Sequence, residues 1–195
     1  MPLTDVELLG TVTDRLPEPA RRGRFDLVLL DRDGTLNVHR PGYIEHPADL
    51  QIIPGAQHAV AALNAAGIPV VVVTNQQGVG KKVMTSADLV AVHRALERGL
   101  QPGRLDGFAV CPHLAGSCTC RKPATGLFEQ VLTRAPWADP RRCVMIGDAD
   151  TDLAPALRLG MAAVKVGGEC PPFDQHVVQR LLNCDVDRTE AATVR

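Results

Sequence analysis

Phe25-Asp26-Leu27-Val28-Leu29-Leu30 runs straight into Asp31-Arg32-Asp33-Gly34-Thr35, a mainly apolar run that reads as a buried strand opening into a loop. Side chains along a strand change face at every residue, so Asp31 and Asp33 are expected to project the same way and Arg32 elsewhere. Two carboxylates held that close repel unless a cation lies between them or one keeps its proton. A hard, oxygen-seeking divalent ion such as magnesium suits such a pair. Gly34 lets a ligand approach the backbone, and Thr35 offers a hydroxyl. Asp and Gly also build ordinary turns, so the stretch takes its meaning from the residues downstream of it.

Downstream, apolar patterns of two kinds alternate regularly. Gly55 to Ala66 carries Ala59, Val60, Leu63 and Ala66 at helical spacing and is closed by Gly67. Val70-Val71-Val72-Val73 is a β-branched run suited to a strand buried on both faces, ending at Thr74-Asn75-Gln76-Gln77-Gly78. Thr85 or Ser86 can cap a helix over about 87–99, and Phe108 to Cys111 form a short strand. Thr125 or Gly126 opens a helix to about Arg134, and Cys143 to Ile146 is a strand ending at Gly147-Asp148. Pro155 belongs in a first helical turn, which places the next helix start near Thr151 or Asp152, with Asp152 either a helix cap or a group supporting the ligands of a metal. A last strand covers about 162–166.

Strand and helix in alternation predict an α/β, doubly wound, mostly parallel Rossmann-like sheet. Ligands of such sheets gather at the carboxyl ends of the strands. Asp31 and Asp33, Thr74 and Asn75, Asp148 and the segment from Cys111 to Lys122 all fall there. Residues 36–54 come directly after the aspartates, contain Pro41, Gly42, Pro47 and Pro54, and read as a long loop or small flap. Residues 1–24 read as a partly mobile N-terminal extension and 168–195 as a weakly specified C-terminal tail around a domain at 25–167.

Length and composition narrow the class. The chain has 195 residues, 45% of them hydrophobic, enough for one ordinary core. Formal net charge is −1 and no basic run exceeds two residues, so the electrostatic footprint of a nucleic-acid binder is missing and a small-molecule partner is expected. The start, Met-Pro-Leu-Thr-Asp-Val-Glu, does not look like a signal peptide, and no apolar stretch is long enough to span a bilayer, so a soluble, cytoplasmic protein is expected. Three of the six cysteines crowd into 111–120, while Cys143, Cys170 and Cys184 stand apart. Cys111, His113, Cys118 and Cys120 supply three thiolates and one imidazole within ten residues, the donor set of a closed, tetrahedral zinc site. Arg121 and Lys122 come immediately after, so zinc in this loop would aim both cations.

With these residues in place the chain resembles the haloacid dehalogenase superfamily of phosphotransferases. The likeness covers roughly residues 25–167: D-x-D-G-T at 31–35, T-N at 74–75, Lys122, and G-D-x-x-x-D at 147–152, in that superfamily's order. It implies that Asp31 attacks phosphorus and becomes an aspartyl phosphate. Asp33 would protonate the leaving oxygen and then deprotonate the hydrolytic water, which calls for a pKa above that of Asp31. Magnesium would be held by Asp31, the Asp33 carbonyl and Asp148, while Thr74, Asn75 and Lys122 would hold the phosphoryl oxygens.

The zinc loop followed by Arg-Lys-Pro is similar to one branch of that superfamily, the small-capped heptose bisphosphate and histidinol-phosphate phosphatases. The runs 37–43 and 74–80 look more like the heptose type, which implies a substrate lined by His39, Arg40, Gly42, Tyr43, Gln76 and Gln77, with Arg121 meeting a second phosphate. The chain departs from that type in three places. Ala149 stands where a Lys is usual, the gap between His113 and Cys118 is short and nearer the histidinol type, and the flap is one residue longer. The resemblance therefore implies a magnesium-dependent phosphatase removing the C7 phosphate of a heptose 1,7-bisphosphate, with histidinol phosphate as the competing substrate. A silent sugar-phosphate-binding or zinc scaffold protein is the reading from another class, opposed by the intact Asp31 and Asp33. The oligomeric state is left open, with a monomer favoured.

Overall fold

The computed structural model describes residues 2–19 and 23–183. In chain order its elements are α1 (Asp5–Leu8), β1 (Leu27–Leu30), α2 (Ala56–Ala65), β2 (Val70–Asn75), α3 (Gln77–Gly80), α4 (Ser86–Gly99), β3 (Gly107–Cys111), α5 (Gly126–Arg134), β4 (Cys143–Gly147), α6 (Asp150–Arg158), β5 (Ala162–Lys165) and α7 (Gln175–Asn183). All strand pairs are parallel, in the order β3-β2-β1-β4-β5. The doubly wound expectation is met, and the strand order reverses between β1 and β4, the switch point where such sheets bind ligands.

Alternation along each strand builds two cores. Val28, Leu30, Val70, Val72, Val144 and Ile146 face one layer with residues of α2, α4 and α7. Leu27, Leu29, Val71, Val73, Cys143 and Met145 face the other with residues of α5 and α6. Both faces are dry, which is why these strands read as continuous apolar runs rather than alternating ones.

Three expectations need correction. Residues 2–19 are seated: Leu8 and Leu16 are buried, Thr4 and Glu7 form a reciprocal capping box on α1, and the Leu16 backbone bonds Arg134 and Trp137. This N-terminal arm lies against β3, an edge strand, and α4, so apolar patterning too short to register as periodic is nonetheless core. The segment from 168 is not wholly weak, since Phe173 and the Val177, Val178 and Leu181 stripe of α7 join the core beside α2. Cys184 and the rest of that expected tail lie outside the described residues. Finally, α6 starts at Asp150, so Pro155 sits inside the helix rather than in its first turn. The start is set by Asp152, whose carboxylate accepts the Ala149 N–H at 3.1 Å from the third helical position, so Asp152 is not the cap residue itself.

The flap between β1 and α2 is pinned at its base. The Val38 N–H donates to the Gln51 carbonyl at 2.8 Å and the Ile53 N–H to the Leu36 carbonyl at 3.0 Å, while Ile44 is buried under the loop. Its one regular turn, a 3-10 turn at Pro47–Asp49, is too short to show as helical spacing.

Candidate active site

Asp31 leaves the end of β1 and Asp148 the end of β4, on either side of the switch point. Between β2 and α5, the Lys122 ammonium comes in from the loop after β3. It lies 2.7 Å from Asp31 Oδ1, 2.7 Å from Asp152 Oδ1 and 2.7 Å from the Val73 carbonyl, with almost no solvent contact. Lys122 is itself held by Asn75, whose carboxamide accepts the Lys122 N–H at 3.0 Å and donates to its carbonyl at 3.1 Å. Asn75, expected to hold phosphoryl oxygens, is thus engaged in fixing the lysine's backbone.

Three carboxylates, Asp31, Asp148 and Asp152, bring oxygens within 4.8 Å of one another. One lysine does not balance three acids. Burial, with Asp152 beside it and Lys122 opposing, pushes the Asp31 carboxyl up to about 7, and burial likewise raises Asp148. The donors and charge deficit fit a hard divalent cation. Gly34 makes room for this group: its φ is +89°, and a Cβ there would lie 2.1 Å from Asp148 Oδ2.

Asp33 is set apart from these three. Its carboxylate takes Arg32 Nη2 at 2.9 Å on both oxygens, Asn37 Nδ2 at 2.9 Å and Gln76 Nε2 at 3.0 Å, and Gln76 Nε2 also reaches Thr74 Oγ1 at 2.8 Å. Burial works against its charge, but Arg32 and the hydrogen bonds from Asn37 and Gln76 prevail and hold it below the usual carboxylate range. The expected order of the two aspartates is therefore reversed among the protein's own groups. The cause is Arg32, which does not point away as strand alternation predicts. That alternation stops at Leu30: the N–H groups of Leu36 and Asn37 both donate to the Arg32 carbonyl, and this tight turn carries the guanidinium back onto its neighbour.

Behind Arg32 lies His93 on α4, wholly buried among the helix's apolar stripe and stacked on Phe108 with ring centroids 4.4 Å apart. Arg32 Nη1 is 3.2 Å from His93 Nε2, and His93 Nδ1 is 2.7 Å from the Leu8 carbonyl. Arginine only donates, so Nε2 accepts, and the ring proton sits on Nδ1 and goes to Leu8. Burial and Arg32 pull the His93 pKa down to about 3. Below the ordinary value near 6.5 the unfolded chain therefore binds a proton the folded one refuses. This contribution to stability is fully present above that value and falls with pH toward about 3, by up to about 1.4 kcal/mol per pH unit. Urea midpoints between pH 7 and 4 are expected to fall less steeply in His93→Gln than in wild type.

The cavity over the strand ends holds about 270 Å³ and is walled by Asp31, Asp33, His39, Arg40, Gly42, Tyr43, Thr74, Asn75, Gln76, Lys122 and Asp148. Two expected substrate residues are not in that wall. Gln77, on α3, donates to the Tyr43 hydroxyl at 3.2 Å and so supports the flap instead. Hydrogen bonds from Gln77 and Lys81 lower the Tyr43 phenol pKa, with the Arg121 charge adding the least, and Arg121 Nη1 is buried without a hydrogen-bond partner. Arg40 pairs with Asp49 at 2.8 Å on the exposed flap. Arg32, Ile44 and Thr151 are wall residues that sequence reasoning missed. For Thr151 the signal was available, since it opens a helix at the end of a ligand-side strand.

Cys111, His113, Cys118 and Cys120 meet as the spacing predicts. Cys120 Sγ is 3.3 Å from both other sulfurs, Cys111 and Cys118 are 3.6 Å apart, and His113 Nδ1 is 3.2 Å from Cys120 Sγ. Tetrahedral zinc with bonds of about 2.3 Å to sulfur needs sulfur separations of about 3.8 Å, so the four donors surround a point of suitable size. Burial and the neighbouring sulfurs push Cys120 up to about 12, a cost that a cation would remove. The loop is pressed onto α3, where a Cβ on Gly80 would lie 2.4 Å from the Pro112 carbonyl.

Comparison with known proteins gives a consistent picture. Residues 119–172 match the HAD-hydrolase-like family model. The chain is 38% identical over 157 residues to the D-glycero-alpha-D-manno-heptose-1,7-bisphosphate 7-phosphatase of Mycobacterium tuberculosis (strain ATCC 25618 / H37Rv), covering 76% of this chain and 83% of that protein. It is 35% identical over 130 residues to the D-glycero-beta-D-manno-heptose-1,7-bisphosphate 7-phosphatase of Neisseria meningitidis serogroup A, covering 65% of this chain and 69% of that protein. Among solved structures, D,D-heptose 1,7-bisphosphate phosphatase from B. bronchiseptica, complexed with magnesium and phosphate, superposes with a TM-score of 0.72 at 30% identity. That match covers 80% of this chain and 97% of the other.

Proposed function

Because the chain belongs to the HAD-like family of heptose-1,7-bisphosphate phosphatases, we propose that it hydrolyses the C7 phosphate of D-glycero-D-manno-heptose 1,7-bisphosphate. The observation that carries this reading is the placement of Asp31. Asp31 lines the cavity at the end of β1 while Lys122 holds its Oδ1, and Asp33 lines the same cavity. In the proposed reaction Asp31 attacks phosphorus as the C7 oxygen departs with a proton from Asp33, leaving an acyl phosphate on Asp31. This step requires a cation on Asp31 and the anionic phosphate beside Asp33 to restore the order of protonation that Arg32 and burial reverse. Asp33, now a carboxylate, takes a proton from water as the water oxygen attacks phosphorus and the bond to Asp31 breaks.

Lys122 and the Thr74 hydroxyl hold phosphoryl oxygens, and Asn75 keeps Lys122 aimed. Magnesium, held by Asp31, Asp148 and the Asp33 carbonyl, would supply a positive charge between nucleophile and phosphate. Asp152 stays with Lys122 and the Ala149 N–H rather than joining that set. His39, Arg40, Gly42, Tyr43 and Gln76 contact the sugar, and Arg121, next to Lys122, receives the second phosphate. We read 25–167 as the catalytic unit, 36–54 as its flap and 111–120 as its zinc loop, in a monomer acting in the reducing cytoplasm. Among the described residues no helix is long and apolar enough to cross a membrane.

Phosphate release from the alpha and beta anomers and from histidinol phosphate, with and without magnesium, tests the reading. A clear preference for either heptose anomer supports it; a preference for histidinol phosphate overturns the substrate. Zinc would be held by Cys111, His113, Cys118 and Cys120, stiffening the loop that carries Arg121 and Lys122. Cys118→Ser is expected to lose bound zinc by metal analysis, raise KM for the bisphosphate about tenfold and reduce kcat less, since the zinc loop positions rather than reacts.

A further inference from the structure

We infer that the N-terminal arm belongs to the catalytic apparatus: the Leu8 carbonyl and His93 position Arg32, and through it the carboxylate of Asp33. The four groups form one line. The Leu8 carbonyl fixes His93 Nδ1–H at 2.7 Å, Nε2 receives Arg32 Nη1 at 3.2 Å, and Arg32 Nη2 grips both oxygens of Asp33 at 2.9 Å. Leu8 and His93 are fully buried and Arg32 is 1% exposed, so water does not replace a lost partner.

Each link admits only one arrangement. A guanidinium cannot accept a hydrogen bond, so the imidazole must present a bare Nε2, and this holds only while another group takes the Nδ1 proton. Leu8 supplies that group from an arm that is anchored separately, by Arg94 on the Leu3 carbonyl and on Asp5 at 2.6 Å, and by the Leu3 N–H on Glu97 at 3.2 Å. Arg94 and Glu97 follow His93 on α4, so the helix that clasps the arm also carries the ring that reads it. A residue this remote from the cavity bears on the chemistry because a catalytic carboxylate displaced by about 1 Å loses orders of magnitude in rate.

This inference rests on Asp33 serving as base toward the acyl phosphate, and the experiment separates the two claims. The probe is p-nitrophenyl phosphate, whose leaving group departs without a proton, followed by stopped flow. Where hydrolysis of the acyl phosphate is slowed, nitrophenolate appears in a burst of up to one per active site, followed by slow turnover. A variant that merely folds poorly lowers burst and steady rate together.

His93→Phe keeps the stack on Phe108 but removes both polar contacts, and His93→Asn retains a donor toward Leu8 without an acceptor for Arg32. Both are expected to show the burst, with steady turnover falling about tenfold or more relative to it. His93→Gln, which can place an oxygen near Nε2, is expected to restore turnover toward wild type. Asp33→Asn is the reference and should show the burst most strongly. If Asp33→Asn shows it and neither His93→Phe nor His93→Asn does, the positioning role is wrong. If Asp33→Asn turns over like wild type, the assignment of Asp33 itself fails.

Discussion

Asp31→Asn is expected to abolish turnover, by roughly four orders of magnitude or more, the scale seen when a nucleophile is removed from an enzyme. The fold and zinc content should be unaffected, because the amide fills the same space and the zinc loop is built on other residues. Its stability should even improve. In metal-free protein the Asp31 carboxyl is pushed up to about 7, chiefly by burial. Between the ordinary carboxylate range and that value the unfolded chain has lost a proton that the folded chain retains, so stability falls as pH rises through this window. A neutral amide removes that loss. With a chelator present at pH 8, Asp31→Asn should melt above wild type, a trade of stability for function common at active sites. Thermal melts with chelator, set beside bisphosphate turnover, check both halves, and a variant retaining near wild-type turnover would remove Asp31 from its role.

Lys122→Ala is expected to damage both activity and fold. The ammonium is the cation shared by Asp31 and Asp152, all three being largely buried, and its loss leaves two acids facing Asp148 uncompensated. Removing one member of a buried ion pair costs about 3–5 kcal/mol, or a fall in Tm of about 6–20 °C in a domain of this size. Loss of one aimed donor at a transferring phosphoryl group lowers kcat by about a hundredfold to a thousandfold. Assays well below the melting temperature separate the two effects. Added magnesium should recover part of the stability, by relieving the carboxylates, without recovering the rate.

The sheet was legible because its signals are local. Val70 to Val73 and Cys143 to Ile146 can be little other than strands buried on both faces, and polar residues ending each run mark the ligand side. The zinc ligands were legible because four soft donors within ten residues leave few alternatives. What escaped was set by contacts distant in sequence. Leu8 and His93 are 85 residues apart, and neither has spacing that announces a role. Arg32 was misjudged because a period-two rule was carried two residues past the strand, which ends at Leu30, into a turn closed on its own carbonyl. Asp152 combines two tasks, capping the start of α6 and pairing with Lys122; the sequence suggested the first and a place near the metal ligands, but not the lysine that it holds.

The direct measurement is to quench the enzyme with acid during turnover of the bisphosphate, reduce it with borohydride and sequence the peptides by mass spectrometry. An acyl phosphate on the nucleophile is reduced to homoserine, whereas a free carboxylate is untouched. Homoserine at position 31, absent without substrate and absent from Asp31→Asn, is the predicted result. Unmodified Asp31 in enzyme quenched at saturating substrate with a slowed second step, as in Asp33→Asn with p-nitrophenyl phosphate, would contradict it.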